Sequence, residues 1–298
     1  MPGPHSPLGR LNGHLAVVGC EGFELPDTSN LGCLEIRSER DLPLALKAGF
    51  TIKLDAETNT AGSEARLTIF YAPDNARSLR INLGRNSRNN ALYLSQAAGL
   101  SGVYNFAGRN NTVIDCGNGS GHRSSIISSF HGDDGLFYWG RNSTSNGLTM
   151  EFRRAGDAVL FGEDCMLATE IMVRPTDMHA IFSTGNEEVL NNKPLATHPV
   201  IIFPHTWIAQ RSLVLKNVMV GPGAIIGAGS ILSRSVPHTC AVAGVPARIV
   251  QENVSWTRAS DPPPQEVARV NAGLKKHIEF FEGVAKSPSI RFLPRPQL

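Results

Sequence analysis

Residues 202–237 repeat every six residues, as IFPHTW, IAQRSL, VLKNVM, VGPGAI, IGAGSI and LSRSVP, which puts Ile202, Ile208, Val214, Val220, Ile226 and Leu232 in one column. A period of six fits neither an α-helix, which would scatter this column around its cylinder, nor a plain amphipathic strand, which alternates every two residues. It fits a solenoid in which each hexapeptide forms one short flat side and then turns a corner. With three sides to a coil, residues eighteen apart stack: Ile202 on Val220, Ile208 on Ile226, and Val214 on Leu232. Successive coils then lie about 4.8 Å apart and exchange parallel backbone hydrogen bonds. No single coil can bury its own interior, so each column aliphatic contributes its ~1.5–3 kcal/mol only within a stack.

The fifth residues of the blocks, Thr206, Ser212, Val218, Ala224, Ser230 and Val236, are small or β-branched, as a tight coil requires. The same pattern opens earlier as FGEDCM, LATEIM and VRPTDM, with Phe161, Leu167 and Val173 inward and Cys165 at a fifth position. Counting on from Val173 places His179 where an aliphatic is due. The register fails there, and the excursion at 178–200 precedes its return at Ile202. A long loop inside a compact repeat is characteristically functional.

Upstream, the runs FTIKL, ARLTIFY and LRINL between Phe50 and Leu83 predict a small N-terminal sheet or irregular first coils. Gly-Arg-Asn recurs at Gly84, Gly108 and Gly140; the intervals of 24 and 32 residues predict corners of coils that carry insertions, with Gly and Asn supplying positive φ. The arginines of these turns read as solvated corner residues. Downstream, Pro237 ends the regular period and Pro262, Pro263 and Pro264 form a hinge. Val267, Val270, Leu274, Ile278, Phe281 and Ala285 then recur at helical spacing, predicting one amphipathic helix from Gln265 to about Ala285. The expected division is an N-terminal arm and small β region at 1–78, a repeat region at 79–250 with an inserted loop at 178–200, and a linker, helix and tail at 251–298.

Charge and cysteine usage narrow the function. The 28 basic and 26 acidic residues nearly cancel, so nothing marks a nucleic-acid scaffold. No apolar run approaches a membrane span and the first ten residues lack a signal peptide's apolar core, so a cytoplasmic protein without a transmembrane segment is expected. Five scattered cysteines, Cys20, Cys33, Cys116, Cys165 and Cys240, form no CxxC pair and read as reduced thiols.

The place where the count fails carries the chemistry. Asp177 stands two residues before His179, so on an extended segment the two side chains share a side. A histidine titrating near neutrality can remove a hydroxyl proton as that hydroxyl attacks a thioester, and a neighbouring carboxylate can orient its ring.

The repeat, the Asp-x-His followed by a loop, and the closing turn at 243–248 resemble the hexapeptide-repeat acyltransferases, in particular those that O-acetylate sugars and polysaccharides. That resemblance implies that the solenoid is a left-handed parallel β-helix, so the expected fold is mainly β, with the irregular N-terminal β region and the C-terminal α-helix read above at its ends. It also implies a homotrimer with sites between subunits, acetyl-CoA as acyl donor, and a sugar or polysaccharide hydroxyl as acceptor. His179 would be the general base, with Asp177 beside it. Residues 205–209 are similar to the family's D-x-x-W-I-G segment, which puts Trp207 and Ala209 near the donor; Phe203, His205 and Ala209 depart from the pattern. Gly227, Ala228 and Ser230 would let backbone amides meet the donor, and Arg234 and Arg248 match basic positions suited to its phosphates. No metal is implied. Other readings are an amino-sugar or nucleotide-sugar N-acyltransferase, a zinc enzyme drawing on His179, His198, His205 and His238, and a non-catalytic solenoid scaffold.

Overall fold

The structure is a computed structural model and describes residues 19–28, 30–55, 65–72, 78–95, 99–119, 122, 124–191, 199–286 and 290–294. Among the described residues the chain winds into a three-sided stack of two eight-stranded sheets and one six-stranded sheet. The first sheet runs from Gly32–Ile36 to Met219–Val220, the second from Phe50–Leu54 to Ile231–Leu232, and the third from Thr144–Ser145 to Arg248–Glu252. Neighbouring strands are parallel except at the two ends, where Gly32–Ile36 meets Leu67–Tyr71 and Cys240–Ala243 meets Arg248–Glu252 antiparallel.

The eighteen-residue stacking is present residue for residue: Ile202 faces Val220, Ile208 faces Ile226 and Val214 faces Leu232. Every member of the column from Phe161 to Leu232 is at most 2% exposed. The fifth-position residues are buried too, and three of them use their hydroxyls inside the coil. Thr206, Ser212 and Ser230 donate to the carbonyls of Phe203, Ala209 and Gly227 at 2.8, 2.8 and 2.6 Å, so a small hydroxyl side chain holds each corner closed.

The upstream coils are wider. Leu67 pairs with Asn90, Ala91 with Thr112, Thr112 with Leu136 and Leu136 with Ala158, spacings of 21 to 24 residues. Their cross-section is filled by rings: Phe106, Phe130 and Phe152 face one another in register with centroids 5.0 and 4.3 Å apart, and Trp139 lies 5.0 Å from Phe161. Aromatic interiors need longer sides than aliphatic ones, which erases the period of six over this half. Of the two alternatives for residues 50–83, the structure has the first coils of the same stack. The boundary expected between 78 and 79 falls inside the strand Ser78–Leu83, which pairs with Phe50–Leu54 and Leu100–Phe106.

The Gly-Arg-Asn turns require a correction. Gly84 and Gly108 follow strands of the second sheet and Gly140 follows a strand of the first, so they mark two different corners rather than one corner with insertions. Positive φ falls on Asn110 and Asn142, at 56° and 60°, not on the glycines. A Cβ on Gly140 would lie 2.3 Å from the Gly162 carbonyl carbon, and one on Gly108 would lie 2.0 Å from the Gly132 oxygen. The glycines are there because the next coil's backbone occupies the space.

The helix Pro264–Ala285 packs on the outer face of the first sheet through Phe281 and also buries Leu274 and His277. Phe281 meets Phe203 at 4.9 Å, and Phe23 meets Phe203 at 5.4 Å from the other chain end. Phe23 is fully buried, so the N-terminal arm is anchored from about there; residues 1–18 lie outside the described residues. Val267, expected on the buried face, is 47% exposed. No helix among the described residues is long and apolar enough to cross a membrane.

Candidate active site

Coil register measures the inserted loop. Phe161 pairs with Ile202, Leu167 with Ile208 and Val173 with Val214, 41 residues apart instead of 18. Twenty-three residues therefore leave the stack, all at the corner that follows Ile171–Val173.

The root of this loop is tied down by polar side chains. The Asp177 carboxylate accepts from Lys216 Nζ, on the same corner of the next coil, and from Asn191 Nδ2 at 2.7 Å. Asn191 also donates to the His179 carbonyl at 2.9 Å and accepts from the Ile181 amide at 2.6 Å. A bridge between Phe182 and Val189 closes the next turn of chain into a hairpin. His179 is exposed at this root. Asp177 thus fixes the backbone from which His179 projects, with its carboxylate held by Lys216 and Asn191.

Burial pushes the Asp177 carboxyl up, but the bonds from Lys216 and Asn191 outweigh it and hold the pKa below the ordinary value. A carboxyl depressed in the folded state contributes stability above its unfolded pKa, about 3.9, and loses it as pH falls through the folded value. Protection of the Ile181 amide against hydrogen exchange is therefore expected to persist in acid until below about pH 3.9. In Lys216→Met the loss should begin at higher pH; identical acid profiles would refute this account of the root.

Trp207 opens the third-sheet strand Trp207–Ile208, half-buried between Met166 and Ile225. It lies past the corner that joins the first sheet to the third, whereas His179 leaves the corner that joins the second to the first. One chain places these two side chains on different corners of its triangular section.

The residues expected beside the donor are partly committed to the coil. The amides of Ala209, Gly227, Gly229 and Ser230 donate to the carbonyls of Ile226, Val242, Gln210 and Gly227 at 2.9, 2.8, 2.8 and 3.3 Å, and Ser230 is fully buried. Ser230 is accordingly a corner residue, and Ala228 and Gly229 are exposed. Arg234 and Arg248 are both exposed but follow different sheets, and Arg248 Nη1 donates to the Ala247 carbonyl at 2.9 Å.

A group not singled out in the sequence surrounds His205. Its Nδ1 lies 2.8 Å from Asp164 Oδ2, its Nε2 lies 2.8 Å from the Trp256 carbonyl, and its ring stacks on Trp256 at 4.4 Å and 11°. Arg258 reaches Asp164 at 3.0 Å, and His205, Asp164 and Arg258 line, with Thr144 and Arg269, a cavity of about 470 Å³. The signal available was that His205 puts a ring at a corner where its column neighbours are Asn142, Asp164 and Gly223.

Burial pushes the thiols of Cys116 and Cys165 up to about 12, so neither of these two offers a nucleophile. The histidines counted as zinc ligands are dispersed. His205 binds Asp164 and Trp256, His238 lies 2.9 Å from Thr239 Oγ1 and 3.5 Å from Glu282, and His198 lies outside the described residues. Among the described residues, the grouping compact enough for a metal is Glu21, Glu163 and His277. There Lys276 Nζ already lies 2.6 Å from Glu21, and His277 Nε2 lies 3.2 Å from Glu163.

No family model matches the chain. Over 100 residues it is 37% identical to the polysialic acid O-acetyltransferase of Escherichia coli O1:K1 / APEC, covering 34% of this chain and 31% of that protein. Over 112 residues it is 27% identical to WbbJ of Escherichia coli K12, described as a putative lipopolysaccharide biosynthesis O-acetyl transferase, covering 35% and 57% of the two chains. The chain thus matches about a third to somewhat over half of the length of these relatives. Among solved structures it is similar to the polysialic acid-specific acetyltransferase NeuO, with a TM-score of 0.53 and 23% identity over 75% of this chain and 96% of that one. The shared fold is the left-handed parallel β-helix.

Proposed function

We propose that this hexapeptide-repeat β-helix transfers an acetyl group from acetyl-CoA to a hydroxyl of a polysaccharide, with His179 as general base. The observation that carries this reading is the loop root: a break in the eighteen-residue register holds an exposed histidine on a backbone pinned by Asn191, Asp177 and Lys216. The polysaccharide acceptor is suggested by the relatives' names.

In the proposed reaction His179 takes the hydroxyl proton as the oxygen attacks the thioester carbonyl. The tetrahedral oxyanion collapses, the carbon–sulfur bond breaks, and the imidazolium returns its proton to the departing thiolate. Asp177 acts through the loop backbone. Trp207 forms part of the donor wall, with Ala209, Gly227 and Ala228 keeping that wall low, and Arg234 and Arg248 are placed at its phosphates.

The same reading takes the protein as a homotrimer with its sites between copies. His179 and Trp207 occupy different corners of one chain, which suits a site completed by a second copy. The hairpin that follows His179 supplies an apolar contact, with Ile181 56% and Phe182 58% exposed in the single chain.

The test is incubation with acetyl-CoA and a panel of oligosaccharides, following thiol release and then treating the product with mild alkali. Alkali-labile acetate marks an ester; alkali-stable label would assign the N-acyltransferase alternative. Absence of thiol release with every acceptor would overturn acetyl transfer.

A further inference from the structure

The corner occupied by His205 does not by itself call for a ring. Its equivalents on neighbouring coils are Asn142, Asp164, Gly223 and Thr239, all with φ between 48° and 71°, and His205 shares that conformation at 56°. What the ring adds is its contacts to Trp256, in the strap of residues 255–258 that leaves the solenoid.

We propose that His205, as an imidazolium, is a positioning residue: it locks Trp256 behind Trp207 and so fixes the indole that faces the acyl donor. This rests on the donor site proposed above. Both ring nitrogens face acceptors, Asp164 Oδ2 at 2.8 Å and the Trp256 carbonyl at 2.8 Å. A carbonyl only accepts, and a neutral imidazole carries a single N–H, so both contacts are satisfied only when the ring is doubly protonated. Asp164 is the matching anion: burial pushes its carboxyl up, but His205 and Arg258 hold it below the ordinary range.

The two rings exchange bonds in both directions, because Trp256 Nε1 donates to the His205 carbonyl at 2.9 Å. A cation stacked at 4.4 Å on an indole adds a cation–π attraction. Arg258 extends the lock over two further coils, donating to Thr144 Oγ1 at 3.0 Å, the Asn142 carbonyl at 3.1 Å and the Cys165 carbonyl at 3.2 Å. Trp256, 6% exposed, then stands 6.2 Å from Trp207, which is half-buried. His205 thus acts through Trp256 on Trp207. The charged groups facing this assembly are Asp164 and Glu163 from the preceding coil, Arg258 from the strap, and Glu266 and Arg269 from the helix.

The experiment compares wild type with His205→Asn, which keeps the left-handed corner that asparagine already occupies at Asn142. The KM for acetyl-CoA should rise about tenfold in the variant with kcat within about twofold, a loss of ground-state positioning rather than of chemistry. Tryptophan emission without substrate should differ between wild type and His205→Asn, because the ring stacked on Trp256 is lost. Trp256→Phe, which removes the N–H bonded to the His205 carbonyl, should raise KM in the same way and keeps the proposal testable if His205→Asn does not fold. An unaltered KM in either folded variant, or emission identical in wild type and His205→Asn, overturns the proposal. Failure of acetyl transfer would instead sink the function above, and the emission comparison would still judge the lock.

Discussion

Replacing His179 with alanine is expected to lower kcat for acetyl transfer by about 10²- to 10⁴-fold, the range a positioned general base supplies. The thermal midpoint should barely move. His179 is exposed, and substitutions at exposed positions usually stay within about 0.5 kcal/mol. The backbone at this point is held by the Asn191 bond to the His179 carbonyl, which alanine retains. The loss should therefore separate cleanly from folding. Turnover within tenfold of wild type, on an acceptor that wild type modifies, would remove His179 from the mechanism.

Gly140→Ala is expected to destabilise the protein by about 3 kcal/mol, the upper end of the usual cost of overpacking. The added carbon would sit 2.3 Å from the Gly162 carbonyl carbon, 2.4 Å from its oxygen and 2.6 Å from the Glu163 nitrogen. These are all backbone atoms of the adjacent coil, so no side chain can swing aside. The coils must separate locally, weakening parallel bonds such as Gly140 N–H to the Phe161 carbonyl at 2.8 Å. Gly273→Ala is the control with the opposite sign. It lies in the helix with nothing within 4 Å of the added carbon, and should stabilise by about 0.5–1 kcal/mol. Thermal or denaturant unfolding of the two variants reads both effects; equal midpoints would refute the close-packing account of the Gly-Arg-Asn turns.

That account was legible only in part. Gly140, Gly108 and Gly84 announced corners, but at Gly140 and Gly108 the reason is the backbone of the next coil rather than their own φ. Nor does the three-residue motif tell which corner it sits on. The wide coils hid for a related reason: Phe106, Phe130 and Phe152 recur at unequal intervals because their sides differ in length, so counting in sixes passes over them.

The sequence by itself determined the inward column, the eighteen-residue stacking and the point where both fail, at His179. It could do so because a solenoid is nearly one-dimensional: each coil needs the same kind of residue at the same place, and that need is written as a period. Only the tertiary structure decided what Asp177 binds, that His179 and Trp207 stand on different corners, and that His205 holds Trp256. Those contacts join residues far apart in the chain, or across a corner, once each. A contact made once leaves no period to count.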